Sequence, residues 1–177
     1  MELRGVFPPL VTPFRQDGAL DLRAFEANLD VYSGEDLAGY LVLGSNGEAG
    51  SLDEDEKITL VRAARYRSAG RTLLVGTGLE STRATIALTR RIADAGADAA
   101  LVLTPYYYKP QMNVEALRGH FEAIADASPI PVLLYSVPQF TGLPFPAPLA
   151  AALSTHPRIH GMKESSGDVG LLGRIKG

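Results

Sequence analysis

Lys163 is the residue whose type and position first suggest chemistry. It ends the short apolar run IHGMK, and small polar residues follow it at once. A desolvated lysine amine at the end of a strand can attack a carbonyl carbon and form a Schiff base. The alternative is a structural lysine that pairs with a carboxylate such as Glu164. The other lysines, Lys57, Lys109 and Lys176, fall in a charged helix pattern, in a loop and beside the C-terminus, so Lys163 is the candidate nucleophile.

Tyr135 ends the preceding apolar run, in LLYSVP, and its phenol is expected to enter the same pocket as Lys163. A phenol beside an amine suggests proton transfer during catalysis. The alternative is a tyrosine hydroxyl that is satisfied at the wet edge of the core, which is the more common role of a lone tyrosine. Beside Lys163, we favour the catalytic interpretation.

Two other strand ends carry polar or aromatic residues. In GSNGE, Ser45 and Asn46 could form a simple turn, or their N–H groups and side chains could form a nest for a carboxylate, which would suit a 2-oxo acid. In TPYYYKP, most of the tyrosines are expected to be packing or interface residues. The histidines lack metal-ligand spacing and the chain has no cysteine, so we expect no metal, no thiolate chemistry and no disulfide.

These residues need a scaffold that brings strand ends together. Short apolar runs alternate with amphipathic helix patterns at a spacing of roughly 30 residues, the size of a βα unit. The runs are GVFPPLVT, GYLVLG, TLLVGTG, AALVLT, IPVLLYSV and IHGMK. Ser51 and Glu54 form a capping-box pattern before the second helix, and Gly70 and Gly96 occupy positions typical of helix ends. We therefore predict six strand-helix units, with the sixth helix barely begun.

Strands that are apolar throughout indicate an α/β fold with a parallel sheet covered by helices, either a (β/α)8 barrel or an open doubly wound sheet. No G-x-G-x-x-G motif follows the first strand, and polar residues stand at the end of strand after strand, so the barrel is favoured. A complete barrel takes about 250 residues. We therefore predict an incomplete TIM barrel, with residues 1–177 as a single partial domain.

Composition limits the partners of the chain. Its formal net charge is −3, it has no basic stripe, and no apolar run approaches the roughly 20 residues of a membrane span. We expect a small-molecule substrate, no nucleic acid and no membrane. The start, MELRGVFPPL, shows no signal-peptide pattern, so we expect a cytoplasmic location.

The ordered set GSNGE, TPYYYKP, YSVPQFTG and GMKESSGD resembles the dihydrodipicolinate synthase/N-acetylneuraminate lyase family of class I pyruvate aldolases. Within that family, GSNGE, ESTRAT, SPIPVLLYSVP and GMKESSGD are most similar to 4-hydroxy-2-oxoglutarate aldolase. The resemblance implies a cofactor-free lyase, in which Lys163 is the Schiff-base lysine, Tyr135 is the acid/base phenol and Ser165 lines the site.

The resemblance also assigns the substrate carboxylate to Ser45 and Asn46. It places Tyr107 in a proton relay, and in the family this tyrosine is often contributed to the site of a neighbouring subunit. That role implies a homo-oligomer, either a dimer or a tetramer. Where dihydrodipicolinate synthases carry an arginine two residues after the proline of YNVP, this chain has Phe140. An apolar ring cannot bind the distal carboxylate of that substrate.

The leading hypothesis is a lyase that cleaves a 4-hydroxy-2-oxo acid, 4-hydroxy-2-oxoglutarate above all, to pyruvate and an aldehyde such as glyoxylate. The alternatives are a dihydrodipicolinate synthase-like enzyme, a 2-keto-3-deoxy sugar acid aldolase, and a truncated, inactive barrel remnant. The family barrel continues through two more strands beyond the end of this sequence. We therefore expect the isolated chain to expose strand edges, to associate, and to have little or no turnover by itself.

Overall fold

The computed structural model describes residues 3–176. Strands and helices alternate along most of this range. In chain order they are α1 Leu22–Ser33, β1 Gly39–Val42, α2 Glu54–Arg67, β2 Thr72–Gly76, α3 Thr82–Asp94, β3 Ala99–Leu103, α4 Val114–Ala127, β4 Val132–Ser136, α5 Pro138–Thr141, α6 Ala147–Leu153, β5 Ile159–Glu164 and α7 Val169–Lys176.

The strands form one sheet in the order β1-β2-β3-β4-β5. β1 runs parallel to β2, with Gly39 opposite Thr72, and β4 runs parallel to β5. Every residue of β1 and of β4 is buried, as expected for apolar strands that are covered on both faces. The prediction of an α/β fold with parallel strands is confirmed.

The first predicted strand, GVFPPLVT, differs from the prediction, since residues 3–176 contain five strands and this segment is not one of them. It still lies beside β1: the Leu10 N–H donates to the Leu41 carbonyl at 2.8 Å, and the Leu41 N–H donates to the Pro8 carbonyl at 3.0 Å. The result is an isolated parallel bridge between Pro9 and Leu41. Because Pro8 and Pro9 have no N–H, the ladder cannot continue.

The capping box of the second helix also differs from the prediction, because Asp53 caps α2 in place of Ser51. The Asp53 carboxylate accepts the Glu56 N–H at 2.8 Å, and the Glu56 carboxylate accepts the Asp53 N–H at 2.9 Å. Ser51 ends a short 3-10 turn instead. The two predicted helix-end glycines, Gly70 and Gly96, do adopt positive φ angles of 82° and 107°.

The chain divides into two compact units. Unit 1 comprises Met1–Gly76 and Arg91–Ala100, and unit 2 comprises Thr77–Arg90 and Leu101–Gly177. Within unit 2, the buried rings of Phe121 and Phe145 have their centroids 5.6 Å apart and join α4 to the segment before α6. The assignment of residues 1–177 to a single domain stays a prediction. In the described part of the chain, no helix is both long and apolar enough to cross a membrane.

Candidate active site

β4 and β5, both in unit 2, position the two residues that the sequence singled out for chemistry. In their parallel register Tyr135 stands opposite Lys163, one residue before each strand ends. The carboxyl ends of parallel strands are where barrel enzymes collect their catalytic side chains. The register therefore makes Tyr135 and Lys163 direct neighbours on adjacent strands.

A β-bulge at the start of β5 sets this register. Val132 pairs with Ile159, but Leu133 pairs with Gly161, so His160 is the extra residue. Successive strand residues point to opposite faces of a sheet, so a shift of one residue moves every later side chain to the other face. The bulge thus decides which face of the sheet carries the lysine at the end of β5.

Lys163 and Tyr135 are in direct contact. The Lys163 Nζ lies 4.6 Å from the centroid of the Tyr135 ring, within the range of a cation–π contact. Tyr135 is only 5% exposed, and Lys163 is half-buried. Thr104, which follows β3, donates its N–H to the Tyr135 carbonyl at 3.4 Å and helps to fix the strand end. The structure brings the predicted nucleophile and the predicted acid/base phenol together.

Glu164, the alternative partner of Lys163, is directed elsewhere. It is the next residue of β5, so its side chain belongs to the opposite face of the strand. Its Oε1 accepts the Ser166 N–H at 2.5 Å. Its Oε2 and the Ser136 hydroxyl opposite it in register are buried without a hydrogen-bond partner among residues 3–176. This geometry does not favour a structural Lys163–Glu164 ion pair.

Ser165 begins the loop that follows β5. Its N–H donates to the Ser136 carbonyl at 2.9 Å, so the pairing with β4 extends one residue past the strand. Further along, the Asp168 carboxylate accepts the Leu171 N–H at 3.0 Å at the start of α7. This hydrogen bond, with help from Arg174, lowers the pKa of Asp168. The loop is therefore held at both ends, and the role of Ser165 in lining the site stays a prediction.

The GSNGE segment lies in unit 1, directly after β1. Ser45–Gly47 form a 3-10 turn, in which the Gly47 N–H donates to the Gly44 carbonyl at 3.0 Å. Ser45 is half-buried and Asn46 is exposed. The segment forms a turn with an exposed amide at its centre, and this geometry is compatible with both alternatives that the sequence allowed. The binding of a carboxylate by Ser45 and Asn46 stays a prediction.

Backbone strain surrounds this turn. Leu43 and Glu48 adopt left-handed φ angles of 58° and 49°, a conformation that costs a non-glycine residue roughly 1–2 kcal/mol. The Thr12 hydroxyl donates to the Gly47 carbonyl at 2.6 Å, and a Cβ at Gly47 would lie 2.9 Å from the Leu10 carbonyl oxygen. Strain of this kind persists at functional loops that the surrounding structure holds in place.

Tyr107 lies in the exposed loop after β3 and is itself 73% exposed. Its ring meets the Tyr108 ring edge-on, with the centroids 5.0 Å apart. The N–H groups of Tyr106 and Tyr107 donate to the carboxylate of Glu80. Sequence reasoning missed Glu80, because the residues it binds are 26 and 27 positions away and no local pattern signals the contact.

The other lysines occupy different surroundings. Burial lowers the pKa of Lys57, although the negative charge of the nearby Glu54 acts in the opposite direction. Lys57 lies on helix α2 rather than at a strand end, so its lowered pKa alone does not make it a nucleophile. Lys109 is exposed in the tyrosine loop, and the side chain of Lys176 lies outside the described part of the chain.

His120 is a buried histidine of α4. Its Nδ1 lies 2.8 Å from the Thr82 hydroxyl, and its Nε2 is buried without a hydrogen-bond partner in the described structure. Burial lowers the pKa of His120 to about 4, although the charge of Glu80 acts in the opposite direction. The imidazole is therefore neutral near pH 7. Across residues 3–176, no cluster of three or more histidine, aspartate or glutamate side chains is arranged to hold a metal ion.

Comparison with known proteins identifies the family. The model of the dihydrodipicolinate synthetase family matches residues 2–177. The chain belongs to this family. A 4-hydroxy-tetrahydrodipicolinate synthase from Xanthomonas campestris pv. campestris is 47% identical over 166 residues, which cover 93% of this chain and 54% of that protein. A probable mitochondrial 4-hydroxy-2-oxoglutarate aldolase from Emericella nidulans is 43% identical over 177 residues, 97% of this chain and 57% of that protein.

The fold of this dihydrodipicolinate synthetase family member agrees with a solved structure. The crystal structure of the chloride-inhibited dihydrodipicolinate synthase from Acinetobacter baumannii, complexed with pyruvate, superposes with a TM-score of 0.93 at 34% identity. The match covers 99% of this chain and 62% of that one. The predicted partial TIM barrel and the family resemblance are both confirmed. The chain spans about half the length of the curated relatives it matches.

Proposed function

We propose that this chain carries the pyruvate-activating residues of a class I aldolase, an enzyme that joins pyruvate to an aldehyde or releases it from the joined product. The observation that carries the proposal is the Lys163–Tyr135 pair, with Nζ 4.6 Å from the ring centroid on adjacent parallel strands. An amine and a phenol in contact at strand ends are the groups that Schiff-base chemistry needs.

In the proposed reaction, the neutral amine of Lys163 attacks C2 of pyruvate to give a carbinolamine. Loss of water, assisted by proton transfer from Tyr135, gives an iminium ion. The iminium withdraws electrons, so C3 loses a proton to the Tyr135 phenolate, which restores the phenol, and C3 becomes an enamine nucleophile. C3 then forms a bond to the aldehyde carbon, and the aldehyde oxygen takes a proton from Tyr135. Hydrolysis releases the product and restores the free amine.

Cleavage follows the same path in reverse. Tyr135 removes the proton of the C4 hydroxyl, the C3–C4 bond breaks, and its electron pair moves into the iminium. Protonation of C3 and hydrolysis then release pyruvate. The same two residues therefore serve a synthase and a lyase, and the second substrate decides between them.

The remaining predicted roles are part of the proposal. Ser45 and Asn46 bind a carboxylate, and Ser165 lines the pocket. Tyr107 contributes to the proton relay of a neighbouring subunit, so the active protein is a homo-oligomer. Its exposed phenol on a surface loop is compatible with a role outside its own subunit.

A synthase-like condensation of pyruvate is the first candidate for the overall reaction. Relatives named 4-hydroxy-tetrahydrodipicolinate synthase support it more strongly than the cleavage of 4-hydroxy-2-oxoglutarate that the sequence alone favoured. In the synthase, the second substrate is aspartate semialdehyde, which brings a distal carboxylate.

Cleavage of 4-hydroxy-2-oxoglutarate is the second candidate, and Phe140 favours it. Phe140 lies in the short helix α5 directly after β4, and it is 65% exposed where an arginine would be needed to bind the distal carboxylate. The Emericella nidulans relative, named a probable 4-hydroxy-2-oxoglutarate aldolase, supports the same reaction.

A direct comparison of two aldehydes tests the proposal. The protein is incubated with pyruvate and either aspartate semialdehyde or glyoxylate, and condensation products are measured by mass spectrometry. Product mainly from aspartate semialdehyde supports the synthase, and product mainly from glyoxylate supports the aldolase. A protein that gives no product with either aldehyde and no reducible adduct with pyruvate contradicts the proposed function and fits an inactive remnant.

A further inference from the structure

The loop between β3 and α4 carries three adjacent tyrosines that face solvent. Tyr106, Tyr107 and Tyr108 are 40%, 73% and 64% exposed. Hydrophobic stabilisation is proportional to the apolar area removed from water, so rings that stay in solvent contribute little to fixing the loop. The position of the loop backbone must depend on other contacts.

Glu80 supplies such contacts. Its Oε1 and Oε2 accept the Tyr106 N–H at 3.2 and 3.1 Å, and its Oε2 accepts the Tyr107 N–H at 2.9 Å. Hydrogen bonds to an ionised carboxylate are roughly twice as strong as those between neutral groups. Two successive N–H groups directed at one carboxylate form an anion nest that the protein fills with its own side chain.

The backbone beside Glu80 is itself anchored. The Leu79 N–H donates to the Thr85 hydroxyl at 3.0 Å, and that hydroxyl donates to the Leu79 carbonyl at 3.2 Å. Thr85 is fully buried on helix α3. The carboxylate of Glu80 therefore extends from a fixed point rather than from a loose segment.

The part of the loop beyond Tyr107 makes its own local hydrogen bonds. The Gln111 N–H donates to the Tyr108 carbonyl and the Met112 N–H donates to the Lys109 carbonyl, both at 3.0 Å, in a 3-10 turn. These bonds join neighbours within the loop and do not tie it to another element. The Lys109 side chain packs beside Gly142 at the end of α5, where an added Cβ would lie 3.1 Å from Nζ. Among the hydrogen bonds of the described residues, those to the Glu80 carboxylate join the tyrosine N–H groups to the segment before α3.

We propose that Glu80 is a positioning residue for Tyr107: its carboxylate holds the loop backbone and thereby sets where the Tyr107 phenol lies. The inference rests on the proposed function, because the proton-relay role of Tyr107 belongs to that function. A misplacement of a reacting group by about 1 Å can lower a rate on the order of 100-fold. A contact that fixes the loop backbone, and with it the Tyr107 phenol, is therefore expected to affect the reaction rate.

Amide hydrogen exchange, followed by NMR, tests the tether without any substrate. Glu80→Ala should speed exchange of the Tyr106 and Tyr107 amides by about tenfold or more, because a charge-assisted hydrogen bond is lost. The Met112 amide should be unaffected. Glu80→Gln, which keeps one carbonyl acceptor, should give a smaller effect. Unchanged exchange in Glu80→Ala overturns the inference.

Glu122→Gln is the matched control for this experiment. Glu122 is also a carboxylate of unit 2, but it pairs with Arg118 on α4 at 2.7 Å. Its replacement should leave the exchange of the tyrosine amides unchanged. Faster exchange in this control as well would show that general loss of charge, not the tether, governs the loop, and would contradict the inference.

A double-mutant cycle tests the link to Tyr107. The rate of adduct formation with pyruvate is measured for Glu80→Ala, Tyr107→Phe and the double variant. Glu80→Ala should lower the maximal rate about 10- to 100-fold at an unchanged half-saturating pyruvate concentration, and the double variant should be no slower than Tyr107→Phe. Additive losses, or no loss in Glu80→Ala, overturn the inference. A wild-type protein that forms no adduct contradicts the proposed function instead, and amide exchange still decides the tether.

Discussion

Replacing Tyr135 by phenylalanine removes one oxygen from the proposed site and leaves the rest of the side chain in place. The Tyr135 ring is 5% exposed and its centroid lies 4.6 Å from the Lys163 Nζ, and both features should survive the substitution. If the phenol transfers protons during imine formation, the variant should still bind pyruvate but form the Schiff base far more slowly.

The expected sizes of the two effects of this substitution separate catalysis from folding. A positioned acid or base contributes about 10²–10⁴ in rate, which corresponds to roughly 3–5 kcal/mol of transition-state free energy. Loss of one hydroxyl hydrogen bond lowers the free energy of unfolding by about 0.5–1.5 kcal/mol. A domain with a stability of roughly 5–15 kcal/mol stays folded after such a loss. A rate reduction of the predicted size would therefore reflect the loss of proton transfer by Tyr135 and not the unfolding of the protein.

The assay follows adduct formation over time by intact mass, with pyruvate and cyanoborohydride present. Tyr40→Phe is the matched control, because Tyr40 is fully buried in β1 and its hydroxyl has no hydrogen-bond partner among residues 3–176. Tyr40→Phe should keep the wild-type rate, while Tyr135→Phe loses about 10²–10⁴. An unchanged rate in a cooperatively folded Tyr135→Phe would refute the catalytic role and leave Tyr135 as a core-edge residue.

Three further predictions concern binding, specificity and pH. Asn46→Ala should raise the half-saturating pyruvate concentration about tenfold in the same assay while the maximal rate holds, and an unchanged value would remove Asn46 from the carboxylate site. Phe140→Arg should raise condensation with aspartate semialdehyde about tenfold but not that with a neutral aldehyde, because a guanidinium binds carboxylates; equal effects on both would contradict this reasoning. The pKa of His120 is lowered to about 4 from 6.5, so as the pH falls the unfolded state takes up the proton first. Urea unfolding should show full stability above about pH 6.5 and a loss of about 3 kcal/mol by pH 4, which His120→Gln should abolish; the same slope in that variant would exclude His120 as the cause.

The fold is largely predictable because β1 to β4 are short, mainly apolar runs, a pattern typical of a parallel sheet that is covered on both faces. The first strand was not, since its apolar pattern hid the consequence of Pro8 and Pro9, which lack the N–H groups that a ladder needs. The sequence SLDEDE contains the capping-box pattern twice, at Ser51 with Glu54 and at Asp53 with Glu56, and the turn that ends at Ser51 leaves the second as the cap of α2.

The candidate site was predictable only in part. Lys163 and Tyr135 each end an apolar run, and such ends converge in a parallel sheet. The bulge at His160 that brings them opposite each other leaves no mark in the sequence. Glu80 could not be found either, because its contacts are with backbone N–H groups of a distant loop, which any residue type provides.

The formation of a Schiff base between Lys163 and pyruvate is the central claim, and mapping the reduced adduct tests it most directly. The protein is treated with pyruvate and borohydride and digested, and the modified peptide is sequenced by mass spectrometry. The account predicts one reduced pyruvate on Lys163, and no adduct in a folded Lys163→Ala. An adduct on Lys57, Lys109 or Lys176, or none on the wild-type protein, would contradict it.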